Sequence, residues 1–427
     1  MPVSESVFTY AAPGLKFGSG ASAEIGHDLR ALLSAPHPRV LVVTDPGVAA
    51  TGHPERIARQ IARRGCDTDV FDRARVEPTD ESLEEAIAFG RERGPWDAIV
   101  AIGGGSAIDT AKAVNLLVTN EGELLDYINA PVGAGGAPAN PLLPMVAVPT
   151  TTGTGSESTT ICVLDVLALK VKTGISHSRL RPTLAVVDPD LTMSQPAMVT
   201  AACGMDILCH ALESYTARWF ADFERKTPEQ RVPYCGANPI ADMWAEKSLS
   251  LLGESFRTAV RDGSDEHARG QMALAATFAG LGFGNAGVHI PHACAYPIAG
   301  RVRDYRPAGY PQDEPLVPHG MAVSLTAPAA FALTFEASPE RHLRAAALLG
   351  GSGADADAGP DALPTVLRAL MRDIDIPNGL AEVGYLASDV DDLVEGALKQ
   401  QRLLATAPRE VSAEDLAGVF GASLELW

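Results

Sequence analysis

Residues 98–117, AIVAIGGGSAIDTAKAVNLL, decide the fold class. Ala98–Ile102 is an unbroken apolar run that enters Gly103-Gly104-Gly105-Ser106, and an alanine-rich helical pattern follows at once. A short apolar run bounded by turn residues reads as a strand buried on both faces, the habit of parallel sheets. Glycines at its carboxyl end let the backbone approach a ligand closely. The helix that opens there presents unpaired N–H groups suited to a phosphate. The spacing is not G-x-G-x-x-G, so a tight turn that holds no ligand also accounts for these glycines.

Working outward, the same alternation repeats. Val40–Thr44 is an apolar run ending at Asp45, a helical pattern covers 52–64, a weaker strand lies at 68–72 and another helix at 80–93. MVAVPT (145–150) runs into TTGTGSES, and Leu184–Val187 precedes Asp188-Pro189, while 130–144 is a loop rich in glycine, alanine and proline. Strands alternating with helices at this spacing imply βα units and a mostly parallel, Rossmann-like sheet. The stretch Thr150–Ser156 sets five hydroxyls and two glycines at the end of a strand. Two such loops at the carboxyl ends of parallel strands mark a ligand crevice. Asp45 could accept the hydroxyls of an adenosine ribose and repel a 2′-phosphate, favouring NAD over NADP. A helix N-cap is its alternative role.

From Pro196 the pattern becomes helical throughout. Pro196 suits the first position of a helix running past Tyr215. Further helices are expected at 238–260, 265–281, 285–298, 318–334, 338–349, 361–373, 388–398 and 412–423, with linkers at 299–317 and 350–362. The domains are therefore 1–192, α/β, and 193–427, all-helical. Within the first of these helices, GMDILCHALESY (204–215) carries Asp206 and His210 four apart, hence on one face. With His292 in VHIPHACAYP and His319 in LVPHG they make an N/O donor set for a borderline divalent cation such as Fe²⁺ or Zn²⁺. Taken alone, a D-x-x-x-H pair is also common as a satisfied polar pair.

At 427 residues the chain can bury a large core. Its 34 Lys plus Arg against 53 Asp plus Glu, net −19, argue against nucleic acid and anionic membrane as partners. The cysteines at 66, 162, 203, 209, 235 and 294 form no C-x-x-C and read as reduced thiols. MPVSESVFTYAAP resembles neither a signal nor a transit peptide, and no segment has a membrane-span profile, so a cytoplasmic location is expected.

Together, VVTD (42–45), GGGSAIDTAK (103–112), PTTTGTGSE (149–157), DP (188–189), the Asp206/His210 helix, His292 and PHG (318–320) resemble the iron-containing alcohol dehydrogenase family, in that family's order. The resemblance implies a nucleotide-binding α/β domain followed by a helical metal-binding domain, as in dehydroquinate synthase-like folds. It implies Asp206, His210, His292 and His319 as metal ligands, with Fe²⁺ the expected ion and Zn²⁺ the alternative. It implies NAD(H) as cofactor, held by Asp45, Gly104, Gly105, Ser106, Asp109, Thr150, Thr151 and Thr154, and a homo-oligomer, dimer or larger. KTGISHSRLRPTLAVVDP (172–189), FAGLGFGNAGVHIPHACAYPIAG (278–300) and PLVPHG (315–320) resemble the hydroxyacid-oxoacid transhydrogenase branch. That branch oxidises 4-hydroxybutyrate to succinate semialdehyde while reducing 2-oxoglutarate to 2-hydroxyglutarate through bound NAD(H). An NAD-dependent alcohol dehydrogenase releasing NADH is the alternative.

Two departures matter. Many family members carry a histidine four residues after the third ligand, where this chain has Tyr296. His289, His292 and Tyr296 would share one face of a helix, which makes them the candidate catalytic set, with His289 or Tyr296 relaying the proton. The loop before His319 is long and holds Arg301, Arg303 and Arg306, and a second basic cluster comprises Lys170, Lys172, His177, Arg179 and Arg181. An arginine among these is expected to hold the distal carboxylate of a dicarboxylate substrate.

Overall fold

The computed structural model describes residues 3–169, 171–351 and 359–427. Among the described residues, eight strands lie in the first half of the chain: β1 Gly14–Phe17, β2 Arg39–Val43, β3 Asp67–Phe71, β4 Ala98–Gly103, β5 Met145–Pro149, β6 Ile161–Val166, β7 Val171–Ser176 and β8 Leu184–Val187. Six form a fully parallel sheet in the order β1-β8-β5-β4-β2-β3, and β6 pairs with β7 as a separate antiparallel hairpin. The longer helices among these strands are α1 Ile25–Leu32, α2 His53–Ala62, α3 Asp80–Arg93 and α4 Gly105–Thr119.

The parallel sheet follows from the apolar runs. Every residue of β4 and β5 is buried, so neither strand can be amphipathic. Leu41, Val43, Ile99 and Ala101 enter one core, while Val40, Val42, Val100 and Val146 enter the other. That alternation is the period-2 geometry of strands with helices on both faces. Helix α3 starts where Thr79 and Ser82 form a reciprocal capping box, and arginines close its last turn.

Two elements lie outside the expected pattern. Strand β1 is short and largely exposed, so no apolar run announces it. The β6–β7 hairpin escapes notice because Lys172 points inward: its ammonium lies 2.6 Å from Glu77 Oε2 and 2.9 Å from Asp165 Oδ2.

Contacts divide the chain into two compact units, one of residues 12–193 and one of residues 194–427 together with the N-terminal segment to Ala11. The start of the chain, expected in the α/β domain, thus belongs with the helices. The Glu5 carboxylate anchors it, accepting the N–H groups of Ser6 (2.9 Å) and Lys226 (3.0 Å) and the Arg231 guanidinium (3.1 Å).

In this second unit no strand occurs among the described residues. Its longer helices are α5 Ala197–Thr216, α6 Pro239–Arg261, α7 Glu266–Ala286, α8 Ile290–Gly300, α9 His319–Thr334, α10 Pro339–Leu348, α11 Ala362–Asp373, α12 Val390–Leu398 and α13 Ala413–Ala422. Pro196 is the N-cap of α5, one position earlier than expected. The helix expected at 285–298 instead starts at Ile290. Gly287, at φ 96°, ends α7 in a conformation open to glycine, and the chain bends by 103° before α8. Part of the linker expected at 350–362 lies outside the described residues. One helical stretch, His319–Ala337, is long and apolar enough to cross a membrane by length and composition, but 67% of it is buried, as in a core helix.

Candidate metal centre

Helix α5 is buried along nearly its whole length and carries Asp206, His210 and Glu213 on one face. It packs very closely on its neighbours. A Cβ at Gly204 would fall 2.1 Å from the Phe256 ring, and one at Gly320 would fall 2.1 Å from the Ala202 carbonyl oxygen and 2.7 Å from Asp206 Cβ. The glycine of PHG is therefore what lets the start of α9 settle on α5, bringing His319 to Asp206.

Three imidazoles converge on one carboxylate oxygen. Asp206 Oδ1 lies 3.7 Å from His210 Nε2, 3.6 Å from His292 Nε2 and 3.9 Å from His319 Nε2. These separations are too long for hydrogen bonds. Asp206 Oδ1 and His292 Nε2 are both buried and have no hydrogen-bond partner. Buried polar atoms without partners are costly, and a shared cation satisfies them together. Four ligand atoms about 2.1 Å from a divalent ion at tetrahedral angles stand about 3.4 Å apart, close to the spacing seen here. Ligand atoms of Asp206, His292 and His319 all lie within 4.8 Å of one another. His210 stands outside that trio, reaching Asp206 while its ring stacks on Phe283 (3.8 Å) and His292 (4.6 Å).

The electrostatics favour a cation. Burial opposes ionisation of Asp206, yet the imidazoles of His210, His319 and His292 around it hold its carboxyl well below the usual range. Burial brings His210 down to about 3, so it is neutral and competent to ligate. Burial also acts against a charged His292, but Glu213 and then Asp206 raise it to about 9. A metal ion held here would take the place of that proton.

Glu213 had no assigned role in the sequence reading. It is fully buried, with Oε1 2.6 Å from His292 Nδ1. The signal was its position three after His210 and seven after Asp206, on the ligand face.

The candidate relay residues separate. His289 precedes α8 as its cap residue, so it does not share the helical face of His292 and Tyr296. Its Nε2 lies 3.1 Å from Thr216 Oγ1, whose hydroxyl already donates to Leu212, and burial lowers the ring to about 4. The Tyr296 ring lies 6.2 Å from that of His319.

In the α/β unit, Asp45 caps a short helix, its Oδ1 accepting the Val48 N–H at 2.9 Å, and its Oδ2 would lie 3.1 Å from a Cβ at Gly103. The glycine turn and the threonine loop touch. A Cβ at Gly104 would meet Thr151 Oγ1 at 3.0 Å, and one at Gly105 would meet Thr154 at 2.6 Å. Thr150 donates its N–H to the Gly103 carbonyl at 3.0 Å. Helix α4 opens at Gly104 with no capping side chain, leaving its first N–H groups for a ligand. The Ser106 hydroxyl accepts the N–H of Glu77, a residue held at φ 55°.

Asp109 faces the protein interior. Its Oδ1 accepts from Ser156 Oγ (2.5 Å) and Lys112 (3.2 Å), and its Oδ2 from the Val163 N–H (2.9 Å). It fixes the threonine loop and its sequel instead of facing a cofactor. Lys112, unnoticed in the sequence, also donates to Ser156 Oγ, Thr159 Oγ1 and the Ile161 carbonyl.

The basic clusters are largely engaged within the fold. Arg301 pairs with Asp392 and Arg303 with Asp389, Arg306 donates to the Gln312 and Asp304 carbonyls, and Arg179 to those of Pro138 and Asn140. Nδ1 of His177 accepts the Arg179 N–H. Lys172 sits in its ion triad, so each of these side chains has a partner within the fold. Lys170 lies outside the described residues.

Comparison with known proteins agrees with this arrangement. Residues 13–189 match the model of the iron-containing alcohol dehydrogenase family, and residues 229–424 match its C-terminal counterpart. The mitochondrial hydroxyacid-oxoacid transhydrogenase of Bos taurus is 43% identical over 426 residues, covering 98% of this chain and 90% of that protein. Among solved structures, a 1,3-propanediol oxidoreductase superposes with a TM-score of 0.83 at 30% identity, covering 98% of this chain and 100% of that one. Sulfoacetaldehyde reductase from Bifidobacterium kashiwanohense, solved in complex with NAD⁺, gives 0.79 at 27% identity, covering 97% and 98%. The expectation of a cytoplasmic location is overturned by the transhydrogenase relatives, which are mitochondrial. Reduced thiols and an acidic composition suit any reducing compartment, so neither could tell the two apart.

Proposed function

Because the chain belongs to the iron-containing alcohol dehydrogenase family, and is a metal-dependent oxidoreductase acting on small molecules, we propose that it is a hydroxyacid-oxoacid transhydrogenase. In this reading 4-hydroxybutyrate loses a hydride and a proton to become succinate semialdehyde, and 2-oxoglutarate gains both to become 2-hydroxyglutarate. The observation that supports it is the convergence of three imidazole Nε2 atoms on Asp206 Oδ1, in a chain 43% identical to a transhydrogenase over 426 residues.

A divalent ion, iron in this proposal, would be held by Asp206, His210, His292 and His319 and would polarise the reacting oxygen, while NAD(H) would carry the hydride. Gly104, Gly105 and the uncapped start of α4 would take the pyrophosphate, with Thr150, Thr151 and Thr154 alongside and Asp45 facing the ribose. Asp109 and Lys112 hold that loop in place from behind.

The test is an assay of metal-loaded protein with 4-hydroxybutyrate, 2-oxoglutarate and no added nucleotide, following 2-hydroxyglutarate by mass. Sustained turnover is expected. If turnover waits for NAD⁺ and free NADH accumulates, the protein is an ordinary alcohol dehydrogenase and the transhydrogenase reading is lost.

Tyr296, whose ring stands near that of His319, is assigned the proton relay in preference to His289, which is committed to Thr216. A relay group contributes roughly 10²-fold or more, so Tyr296→Phe should lower kcat by about that factor and remove one limb of the pH–rate profile. An unchanged profile would end this assignment.

A further inference from the structure

Glu213 is sealed from solvent, yet three groups around the candidate metal centre are bonded to it or face it. Its Oε1 lies 2.6 Å from His292 Nδ1, and its Oε2 accepts the His289 N–H at 2.6 Å and faces the His292 N–H at 3.4 Å. Those two N–H groups open α8, and that helix has no side-chain cap of its own. One carboxylate from α5 thus caps α8 and fixes the ring of the histidine that α8 carries. Since an ionised carboxylate only accepts hydrogen bonds, His292 must donate through Nδ1, so that Nε2, 3.6 Å from Asp206 Oδ1, is the nitrogen left to give its lone pair to a cation that displaces its proton.

We propose that Glu213 is the positioning residue of this centre: it sets the tautomer and orientation of His292 and locks together the two helices that supply Asp206, His210 and His292. The proposal rests on the metal-centre reading above. Outer carboxylates of this kind raise the basicity of a ligating imidazole and fix its direction. The assignment also accounts for the burial of a glutamate at 0% exposure in an apolar helix, where an unpartnered carboxylate would be costly.

Glutamine separates this role from simple packing. Glu213→Gln keeps the volume and can still accept the His289 N–H, but its amide group turned toward Nδ1 donates. His292 must then accept there and carry its proton on Nε2, facing Asp206. Glu213→Asp keeps an acceptor-only group on a shorter stem and should restore part of the binding. The experiment titrates Co²⁺ into metal-free wild type, E213Q and E213D. Ligand-field absorption and chelator competition report on binding, and circular dichroism follows the melting of each metal-free protein.

Wild type is expected to bind one equivalent. E213Q should bind about 10–100-fold more weakly, with altered bands and a melting curve close to wild type, and E213D should fall between. Equal affinity and bands for E213Q and wild type would overturn the role of Glu213 while leaving the metal centre intact. If E213Q fails to fold, E213D decides: wild-type affinity and bands in that variant, despite its displaced carboxylate, would overturn it equally. No Co²⁺ binding by wild type would overturn the metal-centre reading itself, and this inference with it.

Discussion

Asp206→Ala is expected to come off a column without stoichiometric metal and to turn over about 10³-fold more slowly, since a Lewis acid supplies several kcal/mol of transition-state stabilisation and each ~1.4 kcal/mol is tenfold in rate. The reason lies in the geometry. His210, His292 and His319 each direct Nε2 at the same oxygen, 3.6–3.9 Å away, so this carboxylate is the only negative charge at their meeting point among the described residues. Without it, a divalent ion would have only imidazoles as ligands in a buried site, since the Glu213 carboxylate bonds to Nδ1 of His292 and not on its Nε2 side. Metal content by elemental analysis and kcat on the same preparation check the prediction. A fully metallated, active D206A protein would mean that the ion binds elsewhere.

The largest stability effect is expected at Lys112. Its side chain is 0% exposed and its ammonium is shared among Asp109, Ser156, Thr159 and the Ile161 carbonyl. Burial alone would lower its pKa, and Asp109 opposes that. Removing one member of a buried pair leaves the other charge uncompensated, at a cost of about 3–5 kcal/mol. In a unit of this size Lys112→Met should lower the melting temperature by about 6–20 °C, and the loop at 150–161 should lose cofactor affinity with it. The double variant D109N/K112M should recover much of the loss, because the amide carbonyl replacing the Asp109 carboxylate would still accept from Ser156 or Val163 and no lone charge would remain. Calorimetry of the wild-type, single and double variants tests this. A single variant that melts with wild type would show that the ammonium carries no such load.

The parallel sheet was legible because strands buried on both faces are written as unbroken apolar runs, and Ala98–Ile102 and Met145–Val148 are such runs. The helical half was legible from its period, except at Gly287, where one left-handed residue splits the expected helix. The β6–β7 hairpin was not legible. A lysine that points into the protein to meet Glu77 and Asp165 looks, in a sequence, like any surface lysine. The same blindness affected Lys112 and Asp109, whose contact with each other spans one helical turn but whose other partners lie more than forty residues away. The candidate ligands could be named from spacing and motif. Glu213 could be placed on the ligand face by its spacing, but its partner could not, because that depends on how α8 meets α5. The N-terminal segment went to the wrong half for a similar reason: what holds Glu5 lies around Lys226 and Arg231.

That last attachment shapes how the chain acquires its structure on the ribosome. Glu5 and Arg231 are separated by 226 positions. At about 5–20 residues per second, the Glu5 carboxylate is exposed for some ~10–45 s before the loop that donates to it has been synthesised. The α/β unit, spanning residues 12–193, is complete in that interval, so it can fold first with residues 3–11 still unattached on one side and the growing helices on the other. Assembly of the helical unit therefore closes a long loop that already contains a finished domain, and residues 3–11 are among the last to reach their place.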